Sequence, residues 1–379
     1  MKIEFFRHNI GKEDIDRTVE VLHSIFLTTG SVVGELESGL AAYLDVPYAI
    51  GVTSCTAALH LCLLAWGIGP GDEVITTPLS FCATANSILH AGARPVFVDV
   101  EETTGNIDAA LIEPAVTERT KAIMPVHLYG QMCDMKEIRR IADKYNLVVI
   151  EDAAHCIEGV RDGIKVGRLG DAACFSFYAT KNITSGEGGA ITVHDTGKDE
   201  LLRMLRLHGI DKSAADRYTK KYRHWDMPVL GWKYNMDNIQ AALLVGQLKR
   251  IDELWERRDA LYRRYEDALS PVKGITLTGT VPGSRHACHL FTIRVAGQVA
   301  GKERDSVLLE LQESGVGVAV NYRPIHLLEY YRKYFGYKEG DFPIAEKIGG
   351  ETISLPLYPL LRDEEAEYVI RAVMEAVTS

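Results

Sequence analysis

Residues 147–155 read LVVIEDAAH, and residues 175–189 read FSFYATKNITSGEGG. In both stretches an apolar run typical of a buried strand leads into polar residues, Asp152 and His155 in the first and Lys181 in the second. Ligands of open parallel sheets bind just beyond the carboxyl ends of the strands. The two stretches therefore predict a ligand site to which Asp152 and Lys181 both contribute.

Short apolar runs and longer helical patterns alternate through the first two-thirds of the chain. Strands separated by helices of this length predict a mostly parallel sheet with helices on both faces. The predicted strands are 48–52, 73–76, 95–98, 122–126, 147–151, 172–177 and 189–193, and the predicted helices are 54–64, 80–90, 107–116 and 135–145.

The pattern changes near residue 235, where a long charged helix is predicted over 238–269. It is followed by a predicted strand at 288–295, a helix at 302–314, a strand at 316–320 and a last helix at 363–377. We therefore predict an α/β protein with a large domain at 1–245, which includes the N-terminal segment, and a small α+β domain at 246–379. Residues 213–230 have little apolar periodicity and are expected to form a mobile or partner-facing loop.

Composition limits the class of protein. The 379 residues are 46% hydrophobic and 25% charged, with a net charge of −10, which is typical of a soluble enzyme and unsuited to binding nucleic acid or an anionic membrane. The sequence has no apolar run of about 20 residues and no signal-peptide pattern at its start. Its seven cysteines form no CxxC pair, so neither a zinc site nor a disulfide framework is indicated. We expect a cytoplasmic protein without a metal.

A lysine and an aspartate at one sheet edge suit a particular cofactor. Pyridoxal phosphate needs an amine that bonds its aldehyde and a carboxylate opposite its ring nitrogen. Its phosphate needs N–H and hydroxyl donors, which residues 53–58, TSCTAA, supply between a strand end and a helix start. A solvated Lys181 and an ordinary helix cap at Ser54 are the alternatives that this pattern leaves open.

Four motifs carry a resemblance to a known family: SCTAALH at 54–60, EDAAH at 151–155, the stretch 176–189, and GWKYNM at 231–236. In this order they resemble the DegT/DnrJ/EryC1/StrS family of sugar-nucleotide aminotransferases, and the similarity runs from residues 28–30 to residues 354–357. The resemblance implies a pyridoxal-phosphate-dependent transferase of fold type I, similar to aspartate aminotransferase. It also implies a homodimer with composite active sites.

The resemblance implies a role for each matched residue. Lys181 matches the lysine that bonds the cofactor and then moves protons at the reacting carbon. Asp152 matches the partner of the ring nitrogen, and His155 matches a residue beside the ring. Phe81 matches an aromatic residue that stacks on the ring. The matched phosphate-binding positions are Cys55, Thr56, Ser176 and, from the neighbouring subunit, Asn235. The alternatives are a structural His155, a core Phe81 and an Asn235 that only caps the following helix.

Residues 320–326, VNYRPIH, resemble the segment that contacts the sugar nucleotide in this family. This makes Tyr322, Arg323 and His326 candidate substrate-binding residues. The forked guanidinium of Arg323 suits a pyrophosphate, although a surface arginine without a ligand is equally compatible with the sequence.

The reaction implied by the resemblance is transfer of an amino group from glutamate to a nucleotide-linked keto sugar. Retention of Lys181 favours transamination over the dehydration catalysed by relatives that have histidine there. The spacing is most similar to bacterial enzymes that aminate UDP-4-keto sugars, including the 4-amino-arabinose type, for surface glycans or lipid A. The alternatives are a 3-keto sugar nucleotide as substrate and a non-catalytic regulator. A dinucleotide-dependent oxidoreductase is disfavoured because residues 51–56, GVTSCT, lack the GxGxxG turn.

Overall fold

The computed structural model describes residues 1–211 and 224–378. The described strands, β1 to β12, are Tyr48–Val52, Glu73–Thr76, Arg94–Phe97, Thr120–Met124, Val148–Asp152, Val160–Arg161, Ile164–Lys165, Ala172–Ser176, Gly189–Val193, Ile275–Leu277, Phe291–Val295 and Thr352–Leu355. The described helices, α1 to α13, are Lys12–Leu22, Ser31–Leu44, Cys55–Ala65, Ala83–His90, Met135–Tyr145, Thr196–Leu205, Asn238–Lys249, Ile251–Leu269, Gly297–Ala300, Arg304–Glu313, Glu329–Phe335, Pro343–Glu351 and Asp363–Thr378.

The central sheet within the described ranges has seven strands in the spatial order β1, β9, β8, β5, β4, β2, β3. Strand β9 runs antiparallel to its neighbours β1 and β8, and the remaining neighbours pair in parallel. The register places Asp152 opposite Cys174, so the carboxyl ends of β5 and β8 lie at the same edge. The predicted mostly parallel α/β architecture is confirmed.

Helix α5 shows why several predicted elements match the structure. It covers the predicted residues 135–145, and the side chain of Asp134 caps it by accepting from the N–H of Glu137 at 3.1 Å. Ile138 and Ile141 on one face are buried under the sheet. Asn146 has φ of 53°, a left-handed conformation that ends the helix. Cap, apolar face and stop signal therefore all agree.

Two predicted helices are wrong in their extent. Residues 107–116 form two short 3₁₀ turns, Ala109–Leu111 and Glu113–Ala115, because Pro114 has no N–H and its ring disrupts a continuing α-helix. The predicted helix 238–269 is interrupted at Arg250, which has φ of −110° and ψ of 18°. The Arg250 guanidinium pairs with Asp14 of α1, a contact with the N-terminal segment that helical periodicity does not reveal.

The predicted strand at 316–320 is also wrong. Val316 bridges to Ile3 and Ala319 bridges to Ser354, so the segment pairs one residue at a time with two different neighbours. In the C-terminal half, the described residues include a three-stranded sheet in which β10 and β12 flank β11. Strands β10 and β12 were not predicted. The predicted loop at 213–230 lies outside the described residues as far as residue 223.

Hydrophobic cores lie on both faces of the central sheet, one against α2, α5 and α7 and the other against α3 and α6. A third core joins α8, α10 and α13 to the C-terminal strands, and it includes Ile3 from the other end of the chain. The first turn of α8, with Ile251 and Leu254, still packs in the first core. The domain boundary at residue 245 stays a prediction. None of the helices in the described ranges has the length and apolar character needed to cross a membrane.

Candidate active site

Asp152 ends β5 and is only 4% exposed. Its Oδ2 accepts from the Thr84 hydroxyl at 2.8 Å, its Oδ1 accepts from the Ala154 N–H at 3.2 Å, and the Cys55 thiol lies 3.9 Å from Oδ1. Burial raises the pKa of the Asp152 carboxyl above its usual range, and the bonds from Thr84 and Ala154 partly offset that effect. The carboxylate is therefore held in a fixed orientation in an environment that favours a cationic ligand group.

Lys181 lies in the loop after β8, where its backbone N–H donates to the Tyr178 carbonyl at 2.9 Å. Burial lowers the pKa of the Lys181 amine to about 8, while the nearby Cys55 and Asp152 side chains act in the opposite direction. A lysine with this pKa has a substantial neutral fraction near physiological pH, which nucleophilic attack on an aldehyde requires. The alternative of a solvated loop lysine does not agree with this environment.

Two amide side chains, the half-buried Asn182 and the buried Gln247, anchor the lysine loop. Asn182 donates from Nδ2 to Glu158 at 2.7 Å, and its Oδ1 accepts from His289 Nδ1 at 3.0 Å. Gln247 of α7 both accepts from the N–H of Thr184, at 3.0 Å, and donates to its carbonyl, at 2.7 Å. These contacts fix the backbone on the C-terminal side of Lys181.

His155 lies beside this loop in a defined hydrogen-bonding state. Its Nδ1 accepts from the Tyr129 N–H at 3.3 Å, and its Nε2 lies 3.1 Å from the Tyr322 hydroxyl. Its ring centroid is 4.4 Å from that of His289. Burial lowers the pKa of both imidazoles well below the usual range, so both are neutral at pH 7. Because Nδ1 of His155 is an acceptor, Nε2 carries the proton and donates to Tyr322.

The turn between β1 and α3 provides an anion-binding end to the site. Ser54 caps α3 by accepting from the Ala57 N–H at 3.1 Å. The N–H groups of Cys55 and Thr56, the first two residues of α3, have no intrahelical acceptor and suit a phosphate. A Cβ on Gly189 would lie 2.4 Å from the Ser54 carbonyl carbon, so this close approach of β9 to the turn requires glycine.

Phe81 and Ser176 also lie at the carboxyl edge of the sheet. Phe81 follows β2 and is 59% exposed, with its ring centroid 6.1 Å from that of Tyr322. The alternative of a core phenylalanine is therefore wrong. Ser176 ends β8 opposite Gly189 and is half-buried. Its hydroxyl is 3.4 Å from the Tyr178 N–H, close to the lysine loop.

Asn235 is held within its own chain. It bridges to Val52 through the backbone, its Nδ2 donates to the Thr29 hydroxyl at 2.7 Å, and its Oδ1 accepts from Lys233. The alternative that Asn235 caps α7 is wrong, because the capping side chain is that of Asp237. A contact from Asn235 to the neighbouring subunit's site stays a prediction.

The predicted substrate segment is brought to the site only in part. Tyr322 contacts His155 and Phe81, and Arg323 is exposed, with one weak bond from Nη2 to the Leu327 carbonyl at 3.4 Å. His326 is fully buried, and its Nε2 lies 2.9 Å from the Glu346 carboxylate. That ring has no exposed surface for a ligand, so its burial argues against the predicted substrate contact.

The sequence did not point to Thr84, Tyr129, Asn182 or His289. Asn182 had one usable signal, its position directly after Lys181, whereas the other three become site residues only through contacts with distant segments. In the described part of the chain, no cluster of three His, Cys, Asp or Glu side chains is arranged to hold a metal ion. A buried carboxylate, an amine of lowered pKa and free helix N–H groups fit a phosphorylated aldehyde cofactor with a basic ring nitrogen.

Several known proteins are similar to this chain over nearly its whole length. It is 45% identical to the spore coat polysaccharide biosynthesis protein SpsC of Bacillus subtilis over 370 residues, covering 97% of this chain and 95% of that protein. It is 38% identical to a UDP-4-amino-4-deoxy-L-arabinose–oxoglutarate aminotransferase of Shewanella sediminis, and the similarity covers 98% of this chain and 97% of that protein. It is 39% identical to a GDP-perosamine synthase of Caulobacter vibrioides, covering 94% of each chain.

A solved structure shows the same fold. The putative sugar aminotransferase Spr1654 of Streptococcus pneumoniae, in its PMP form, superposes with a TM-score of 0.93 at 32% identity and covers 99% of both chains. The profile of the DegT/DnrJ/EryC1/StrS aminotransferase family matches residues 8–374. This chain therefore belongs to that family of pyridoxal-phosphate-dependent sugar aminotransferases and has the fold type I architecture predicted from its motifs.

Proposed function

We propose that this protein binds pyridoxal phosphate through Lys181 and transfers an amino group from glutamate to a nucleotide-linked keto sugar. The single observation that carries the proposal is the pairing, at one sheet edge, of a half-buried Lys181, whose amine has a pKa of about 8, with a buried, hydrogen-bonded Asp152. Together they supply the two groups that this cofactor requires.

The residues around the site have separable tasks. Pyridoxal phosphate, when bound, supplies an electron sink for the carbon that carries the amino group. Asp152 holds the proton on the ring nitrogen, and Lys181 Nζ takes and returns the proton of the reacting carbon. The N–H groups of Cys55 and Thr56, with Ser176, bind the phosphate, and Phe81 covers the ring. His155, held neutral, donates to Tyr322 and adds no competing cation beside Lys181.

The proposed acceptor is a UDP-4-keto sugar used in surface-glycan or lipid A biosynthesis. The relatives named for UDP- and GDP-linked sugars support a sugar nucleotide, and the word oxoglutarate in one name supports glutamate as donor. Their identities to this chain, 38% and 39%, are nearly equal, so the choice of UDP rests on the spacing of the matched segments. The exposed Arg323 is the candidate partner of the pyrophosphate. A 3-keto sugar nucleotide is the second candidate.

We also propose a cytoplasmic homodimer with composite sites. Helix α1 and the segment after it expose five apolar side chains, Ile15, Val19, Leu22, Ile25 and Leu27, of which Ile25 is 92% exposed. An apolar surface of this kind suits a second copy of the chain. Asn235, which lies next to Thr29 in the same region, is the proposed contributor to the neighbouring site.

The test is a panel of UDP-, dTDP- and GDP-linked 3- and 4-keto sugars, each incubated with glutamate and the purified protein and analysed by mass spectrometry. We expect the mass change of amination with the UDP-4-keto sugars and none with a Lys181→Ala control. Product from 3-keto sugars alone would contradict the proposed position, and no product from any member would contradict the reaction. Absorbance at about 410–420 nm, which a lysine-bound cofactor gives, separates an enzyme from a regulator without cofactor.

A further inference from the structure

Tyr129 has an unusual backbone conformation close to the candidate site. Its φ is 58° and its ψ is −4°, in the left-handed region that bulky residues rarely adopt, and it is only 1% exposed. A conformation of this kind is unfavourable by itself and persists only where several contacts hold it. Such residues concentrate at functional sites, so the contacts that hold Tyr129 indicate its task.

Each polar group of Tyr129 contacts a different segment. Its N–H donates to His155 Nδ1 at 3.3 Å, and its carbonyl accepts from the N–H groups of His289 and Leu290, both at 3.2 Å. Its hydroxyl donates to the Asn321 carbonyl. Tyr129 thereby joins the turn after β5, the approach to β11 and the segment 320–326, which we call the substrate loop.

Tyr129, His155 and the substrate loop are joined in a closed ring of hydrogen bonds. The Tyr129 N–H donates to His155, and His155 contacts the Tyr322 hydroxyl at 3.1 Å. The Tyr129 hydroxyl donates to the carbonyl of Asn321, the residue before Tyr322. Two consecutive loop residues are thus fixed from two directions. The next residue is the exposed Arg323, whose own bond within the loop is weak. Its position therefore depends on how firmly its two predecessors are held.

We propose that Tyr129 is a positioning residue that sets the substrate loop against His155, so that the sugar nucleotide and the cofactor ring are held in a fixed relation. The inference rests on the proposed function, because the substrate loop is taken to contact the sugar nucleotide. Tyr129 acts through Asn321, Tyr322 and Arg323, and it does not itself contact the reacting atoms.

A buried tyrosine elsewhere in the chain provides a matched control. Tyr265 of α8 is fully buried in the C-terminal core, and its hydroxyl donates to the Pro356 carbonyl at 3.0 Å. Tyr129→Phe and Tyr265→Phe therefore each remove one buried bond from a tyrosine hydroxyl to a backbone carbonyl. Only the first bond holds the substrate loop, so a general effect on stability would occur in both variants.

The experiment compares full-length wild type, Tyr129→Phe and Tyr265→Phe, all loaded with cofactor. Amide hydrogen exchange of residues 320–326 is measured without substrate, and steady-state kinetics use the keto sugar that the panel identifies. We expect Tyr129→Phe to exchange about 3- to 10-fold faster in this loop and to raise the KM for the sugar nucleotide by a similar factor, the range of one buried hydrogen bond. The glutamate half-reaction and the cofactor absorbance should not change, and Tyr265→Phe should alter neither loop exchange nor KM.

Unchanged exchange at residues 320–326 in Tyr129→Phe would overturn the positioning role. Faster exchange with an unchanged KM would overturn the link to the substrate. Equal effects in Tyr129→Phe and Tyr265→Phe would show a loss of general stability and would also overturn it. If the wild type aminates no member of the panel, the proposed function fails. The exchange data then decide separately whether Tyr129 holds this loop.

Discussion

Thr84 is the residue through which the state of Asp152 can be tested most directly. It lies in the first turn of α4 and is 1% exposed, and its hydroxyl donates to Asp152 Oδ2 at 2.8 Å. Valine has the same branched shape and no hydroxyl. Thr84→Val therefore removes one hydrogen bond from the carboxylate and retains the Ala154 N–H as its other close donor.

The size of the effect depends on the charge of Asp152. A hydrogen bond to a charged acceptor contributes about 1.5–3 kcal/mol, and a bond between neutral groups contributes about 0.5–1.5 kcal/mol. Both side chains are buried, so water does not readily replace the lost donor. We expect Thr84→Val to lower the free energy of unfolding by the larger amount when Asp152 is ionised and by the smaller amount when it is protonated.

The pH dependence has a definite sign. Burial raises the pKa of Asp152 in the folded state, so the stability that its protonated form contributes is present below the unfolded pKa and is lost as pH rises through the folded pKa. Removing the Thr84 bond raises the folded pKa further, because that bond favours the charged form. The difference in unfolding free energy between wild type and Thr84→Val should therefore grow as pH rises above the usual range of an aspartate.

The assay is urea unfolding of the cofactor-free protein at several values between about pH 4 and pH 8, because the contacts of the Thr84 hydroxyl with Ser80 and the Phe81 carbonyl involve no titrating group and only the bond to Asp152 should depend on pH. Thr84→Ser is the matched control, since it keeps the hydroxyl and should keep the wild-type dependence on pH. A difference between wild type and Thr84→Val that stays constant with pH would refute the reasoning. Equal behaviour of the serine and valine variants would refute it as well.

Three further predictions concern Lys181 and the dimer. Lys181→Ala should abolish amination and leave the circular dichroism spectrum unchanged. Turnover at the wild-type rate in this variant would contradict the assignment of Lys181 as the lysine that bonds the cofactor. Borohydride trapping of pyridoxal phosphate on Lys181 of the cofactor-free protein should accelerate as pH rises through about 8, because burial lowers its pKa; acceleration only near 10.5 would contradict that burial. Asn235→Asp and Lys181→Ala should each be nearly inactive, whereas co-expression should restore up to about half the activity per mixed dimer, and absence of rescue would exclude a cross-subunit Asn235.

The fold was predictable wherever local signals agreed. The strand Gly189–Val193 and helix Met135–Tyr145 have the predicted bounds because a continuous apolar run and a capped amphipathic pattern each specify one structure. The interruption at Arg250 was not predictable, since the residues on both sides favour a helix and the Arg250 guanidinium contacts Asp14, which is far away in the sequence. Periodicity reports which face is buried and says nothing about a distant partner.

The site divides in the same way. Asp152 ends one apolar strand and Lys181 follows another, and the carboxyl ends of those strands lie at the same edge if the strands are parallel. Thr84 looks like any helical threonine in the sequence, and His326 looks like a loop histidine although it is fully buried. The role of Tyr129 could not be predicted from the sequence, because its left-handed backbone is held by contacts with three separate segments. Residues recruited by tertiary contacts carry no local pattern.

The electrostatics of the candidate active site explain why these supporting residues matter. Burial shifts the pKa of Lys181 downward and that of Asp152 upward, so each group is moved toward its neutral form in the folded chain. A ligand that carries a protonated ring nitrogen reverses the penalty at Asp152, and an aldehyde consumes the neutral amine that burial has favoured at Lys181. The hydrogen bond from Thr84 limits the rise in the pKa of Asp152, so the carboxylate can still pair with a protonated ring nitrogen. The site therefore favours a ligand that brings a positive charge to Asp152 and an aldehyde to Lys181.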